Sequence, residues 1–161
     1  MNHPVIDIPT ATPDPASSAE SALRRTAGWL GYAGLIPFVG LAALALTLSG
    51  DLQYQAREAL IAYGAVIISF LGAWHWYACV DGRVREAVAA KMGFAVTPAL
   101  LGWAALLVPQ SWGMALVLTG LLLTCIADGR WQGAQDWYRT LRRRLTVVAS
   151  ASMTAAVFSL L

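Results

Sequence analysis

Four side chains of this sequence have the types and spacing of a small metal site. His75 and Cys79 are separated by four residues and Cys125 and Asp128 by three, so each pair shares one face of a helix. Imidazole, thiolate and carboxylate together could complete a tetrahedral zinc or copper set. Against that reading, a free cysteine inside a helix contact behaves as a small hydrophobe. His75 is then a neutral imidazole hydrogen-bonded to a neighbouring helix, with Thr124, Asp128 or a backbone carbonyl as partner. The second reading is preferred, and no metal or other cofactor is expected. A bis-histidine haem fails because the other histidine, His3, lies in a Pro-rich tail. Paired carboxylates, a nucleophile with its base, and a phosphate loop are all missing from the apolar runs, so no enzyme is expected.

What must position these residues follows from composition. Charged residues are 12% and apolar residues 58% of 161, with a mean hydropathy of +0.58. Soluble domains carry about 25% charged residues. Stretches free of Asp, Glu, Lys and Arg run from Thr26 to Gly50, Ala59 to Val80, Met92 to Ala127 and Leu145 to Leu161. Since roughly 20 apolar residues cross a bilayer core, an integral membrane protein is indicated and a soluble enzyme, disulfide scaffold or nucleic-acid binder is not. The third stretch is broken by Val108-Pro109-Gln110-Ser111, where proline removes a donor and the polar pair suits a turn. The expected fold is an all-α bundle of five transmembrane helices, over about 29–48, 59–80, 92–108, 112–127 and 145–161. A short amphipathic helix, with Trp131, Ala134, Tyr138, Leu141 and Leu145 on one face, leads into the fifth. Residues 1–25, with Pro4, Pro9, Pro13 and Pro15, read as a disordered tail ahead of the 26–161 domain. Ala43-Leu44-Ala45 resembles a signal-peptidase site, but it lies inside a long apolar run, so the first span is expected to stay uncleaved.

Orientation follows from the basic residues. Ten of the eleven fall on one side: Arg24, Arg25, Arg83, Arg85, Lys91, Arg130, Arg139, Arg142, Arg143 and Arg144; only Arg57 falls opposite. The positive-inside rule then puts the N-terminus inside and the C-terminus outside. Arg142, Arg143 and Arg144 beside the fifth span are also candidates for binding anionic lipid headgroups. Trp29, Trp74, Trp76 and Trp112 fall near the expected interfaces, whereas Trp103 falls mid-span.

Within the spans, Gly31, Gly34 and Pro37 suggest a close helix contact with a kink, and Ala65, Ser69, Gly72 and Trp76 lie on one face of the second span. Gly31, Gly34, Pro37, Ser69 and Gly72 are therefore the candidate packing residues. Tyr63, His75, Trp76 and Trp103 are the candidates for an apolar ligand site.

Gly31-Tyr32-Ala33-Gly34-Leu35-Ile36-Pro37-Phe38, Tyr63 with Ser69-Phe70-Leu71-Gly72 and His75-Trp76, Pro98-Ala99-Leu100-Leu101 with Trp103, and Trp137-Tyr138 with Leu141-Arg142 and Leu145-Thr146 together resemble the small multi-span family represented by transmembrane protein 69, a domain of unknown function. Members usually carry glycine after the His-Trp pair, where this chain has Tyr77. The resemblance implies a protein of bacterial or mitochondrial inner membranes and no established reaction. The expected role is a non-enzymatic scaffold or accessory subunit of the bacterial inner membrane, binding lipids, other membrane proteins or itself. The alternative is a carrier or receptor for a sterol, quinone or tetrapyrrole.

Overall fold

The computed structural model describes residues 15–82, 85–131 and 136–160, all of their regular structure helical. The helices are α1 (Pro15–Ala33), α2 (Leu35–Thr47), α3 (Gly50–Val80), α4 (Val88–Ala105), α5 (Gln110–Trp131) and α6 (Asp136–Phe158). His3, Arg83, Ala134, Leu161 and the prolines before Pro15 lie outside the described residues, as does the side chain of Trp131.

Four stretches among the described residues are long and apolar enough to cross a membrane: Ser18–Thr47, Gly50–Val80, Val88–Ala105 and Gln110–Arg130. The expected fifth is not among them. The apolar part of α6, from Leu145 to Phe158, is short, and any window of spanning length takes in Arg142, Arg143 and Arg144. Yet α6 reaches both ends of the bundle. Near its start, Arg142 meets Asp128 at the end of α5; just past its end, the Ser159 carbonyl accepts from Arg57 near the start of α3.

Two other expectations change. Residues 15–25, assigned from sequence to a disordered tail, begin α1, because Pro15 suits the first helical turn and Glu20 pairs with Arg24 one turn on at 2.7 Å. The second span starts nine residues earlier than Ala59. Asp51 to Glu58 contains good helix formers with an acid at the favourable N-terminal end, so α3 runs for 31 residues, about 46 Å. The turn before it needs glycine, since Gly50 has φ +63°.

The break between α1 and α2 falls at Gly34. Pro37 lacks the N–H that would bond the Ala33 carbonyl, and at the same break Tyr63 Oη donates to the Gly34 carbonyl at 2.9 Å. Tyr63 also meets Phe38 edge-on, ring centres 5.2 Å apart. α3 is the hub, packing on α2, α4 and α5, while α6 closes the bundle against α2 and α5. Its core joins Phe38, Leu60, Ile68, Met114, Val117, Leu121 and Met153.

Small residues set the helix spacing. An added Cβ at Gly72 would lie 2.5 Å from the Ala95 carbonyl oxygen, and one at Gly102 2.9 Å from that of Ala65. The α3 and α4 backbones therefore touch directly. Ser69, between those two contacts, returns its hydroxyl to the Ala65 carbonyl. Gly31 faces the Leu145 side chain, and Gly34 faces its own preceding turn and the Tyr63 hydroxyl.

Candidate functional site

The polar residues of the bundle meet at its two ends. At one end Arg57 donates from Nε to Gln110 Oε1 at 2.8 Å and from Nη1 to the Ser159 carbonyl at 2.8 Å, while Gln110 Nε2 donates to the Tyr54 carbonyl and to Glu58 Oε1, each at 3.0 Å. This ties the starts of α3 and α5 to the end of α6.

At the other end three buried side chains converge from three helices. Asp128, at the end of α5, accepts from Arg142 Nε at 2.7 Å through Oδ2, and its Oδ1 lies 3.3 Å from His75 Nε2. All three are almost completely enclosed, at 4%, 3% and 8% exposure for His75, Asp128 and Arg142. The imidazole stands edge-on to Phe94 of α4. An enclosed carboxylate needs both of its oxygens satisfied, and two helices supply the partners. Tyr138, one turn before Arg142, meets the Trp74 ring at a tilt, ring centres 6.0 Å apart.

This arrangement separates the residues grouped from sequence. His75 and Asp128 come together, but Cys79 packs with Ala78 and Met92 instead. Among the described residues no three His, Cys, Asp or Glu side chains gather as a ligand set for a metal. The apolar-ligand set also scatters: Tyr63 is committed to the α1–α2 break, His75 to Asp128, and Trp76 and Trp103 are 45% and 64% exposed on outward faces. Trp103 points outward because the inward face of α4 is taken by Ala95, Pro98, Gly102 and Ala105.

Arg142 needs the clearest correction. The sequence placed it with Arg143 and Arg144 at the headgroups, but it turns inward to Asp128. Arg143 and Arg144 stay exposed and make no ion pair among the described residues. Arg144, Tyr32 and Thr140 line two adjoining hollows between α1 and α6, of about 630 and 450 Å³, with Arg143 on the first and Arg24 on the second. The Arg24 guanidinium lies over the Trp137 ring, 5.5 Å from its centre.

A separate cavity of about 410 Å³ lies between α1, α2, α3 and α6. Its wall is mostly apolar, with Leu30, Phe38, Phe70 and Trp74 among its residues, and Tyr138, Arg142 and Thr146 form a polar stripe along α6. Neither Tyr63, His75, Trp76 nor Trp103 lines it.

Comparison with known proteins adds a family. A family model described as protein of unknown function (DUF3429) matches residues 23–158. Transmembrane protein 69 of Xenopus tropicalis is 34% identical over 139 residues, covering 84% of this chain and 54% of that protein, so the chain spans about half the length of this curated relative. No solved structure matches the chain.

Proposed function

The chain belongs to the DUF3429 family of proteins of unknown function, and from that premise we propose that it is a non-enzymatic accessory or scaffold subunit of an inner membrane, which binds membrane lipids and membrane partners. One observation carries this reading: the two polar clusters, His75–Asp128–Arg142 and Arg57–Gln110–Ser159, tie the helices of the bundle to one another, while its outward faces carry large apolar side chains such as Trp29, Phe70 and Trp103. A surface of that kind is fitted to lipid and to other helices.

In this reading α6 is the fifth span, with the N-terminus inside, the C-terminus outside and a bacterial inner membrane as the setting. Its contacts at both bundle ends support the crossing, and the ten-to-one partition of basic residues supports the direction. Reporter fusions after Arg25, Leu52, Glu86 and Gln110 and at the C-terminus should alternate in, out, in, out, out, the last two lying on one side because two crossings separate them. An inside C-terminus would reduce α6 to a helix that does not cross.

The role itself is tested by native purification from membranes, with mass spectrometry of what stays bound. A partner chain or an anionic phospholipid should remain in stoichiometric amount, and a bare monomer would end the proposal. Arg143→Gln with Arg144→Gln should lower retained cardiolipin or phosphatidylglycerol, since each basic residue near a membrane surface contributes about 1 kcal/mol of attraction. Arg142→Gln should instead lower stability. Unchanged lipid in the double variant would leave Arg143 and Arg144 as topology signals alone.

A further inference from the structure

We propose that the cavity between α1, α2, α3 and α6 is a binding site for a neutral, carbonyl-bearing apolar molecule of the quinone type, whose head lies against Arg142 and Thr146 and whose tail follows the apolar wall. The proposal goes beyond an accessory role and shares only Arg142 and Phe70 with the observations behind that reading.

The first support is a pair of unsatisfied donors. Arg142 and Thr146 both line the cavity, one helical turn apart, at 8% and 5% exposure. Arg142 spends Nε on Asp128, but its Nη2 has no hydrogen-bond partner in the structure, and neither has Thr146 Oγ1. Buried polar groups are nearly always satisfied, so two orphans on one cavity wall point to a missing acceptor. The threonine is especially informative. Thr47, Thr97, Thr119, Thr124 and Thr140 each return their hydroxyl to the carbonyl four residues back. Thr146 does not, which leaves its hydroxyl for something else.

Charge then selects the head. Arg142 is the charged side chain on the cavity wall, and its charge is already matched by Asp128. A carboxylate brought into the same apolar enclosure would add an uncompensated negative charge, whereas a carbonyl accepts from both donors and adds none. The Tyr138 hydroxyl, on the same wall, extends the donor stripe.

Shape supplies the route and the tail. Leu30 and Phe70 line the cavity and are 69% and 72% exposed, so it opens sideways on the outer face of the bundle, where an apolar molecule enters from the bilayer. Beyond Trp74 and Tyr138 the wall includes Phe70, Ile67 and Phe38, a set of apolar side chains suited to a hydrocarbon tail. At about 410 Å³ it falls within the usual 300–1,000 Å³ of small-molecule sites.

The test uses the full chain in mild detergent with decylbenzoquinone and, separately, palmitate as probes. Native mass spectrometry should show a one-to-one adduct with the quinone, and the quinone should raise Tm saturably. Ala27→Phe places a ring at a partly exposed wall position and should weaken binding at least tenfold. Thr146→Val should weaken it about fivefold, the value of one hydrogen bond, and Thr146→Ser should restore it. The same variants without ligand should keep near wild-type Tm, which separates loss of binding from loss of fold. A quinone that gives no one-to-one adduct, or binds equally to wild type and Ala27→Phe, overturns the site. Tighter binding of palmitate, or full affinity in Thr146→Val, overturns the assignment of the neutral carbonyl head.

Discussion

Asp128→Ala should be the most destabilising single substitution in the polar network, by about 3 to 5 kcal/mol, because it strips a buried guanidinium of its carboxylate and His75 of its neighbour in one step. Thermal or denaturant unfolding in detergent reads the effect. His75→Leu removes only one partner of Asp128 and should cost less, about 1 to 3 kcal/mol, while His75→Gln keeps a donor and should be milder still. A specific compensation separates a charge effect from a packing effect. Asp128→Leu combined with Arg142→Met replaces the pair by apolar side chains of similar reach and should recover most of the loss, since a buried ion pair often has little net worth over a well-packed apolar substitute. Wild-type stability in Asp128→Ala would mean that the three residues do not hold α3, α5 and α6 together.

Gly72→Ala should be the most damaging of the conservative packing changes, at about 1 to 3 kcal/mol. The new Cβ would stand 2.5 Å from the Ala95 carbonyl oxygen, an atom of a neighbouring helix backbone, so relief requires α3 and α4 to move apart. That is the most extensive helix contact in the bundle. Gly120 shows the contrast: its added Cβ would meet the end of the Ile68 side chain, which can rotate. Gly28 and Gly40 have nothing within 4 Å, and alanine there should be neutral or stabilising by up to about 1 kcal/mol through helix propensity. Melting temperatures of Gly72→Ala, Gly120→Ala and Gly40→Ala, measured together, should fall in that order, lowest first. Equal values for all three would remove direct backbone contact as the basis of the α3–α4 pairing.

Features set by local chemistry were legible in the chain. Pro109 separates α4 from α5, with its carbonyl accepting the Gly113 N–H at the start of α5. Gly34 and Pro37 mark the α1–α2 break, and apolar runs longer than any soluble helix requires mark the membrane class. Such signals act within a turn or two of the residue that carries them, so no folded context is needed to read them. The first turns of α3 were missed for the converse reason: Asp51 to Glu58 form a helix beyond the apolar run, and the face they bury, with Ala56 in the core, is defined only by the helices packed against it.

Tertiary structure alone decided which of three consecutive arginines turns inward. Successive residues on a helix point about 100° apart, so Arg142, Arg143 and Arg144 necessarily face different ways, but the inward direction exists only once α5 has brought Asp128 against α6. The same holds for the cavity. Its wall collects residues from Ala27 to Ala149, which lie far apart in the chain and come together only in the folded bundle. A sequence states the side chains that fill a bundle; the spaces between helices depend on their relative placement, which distant contacts set.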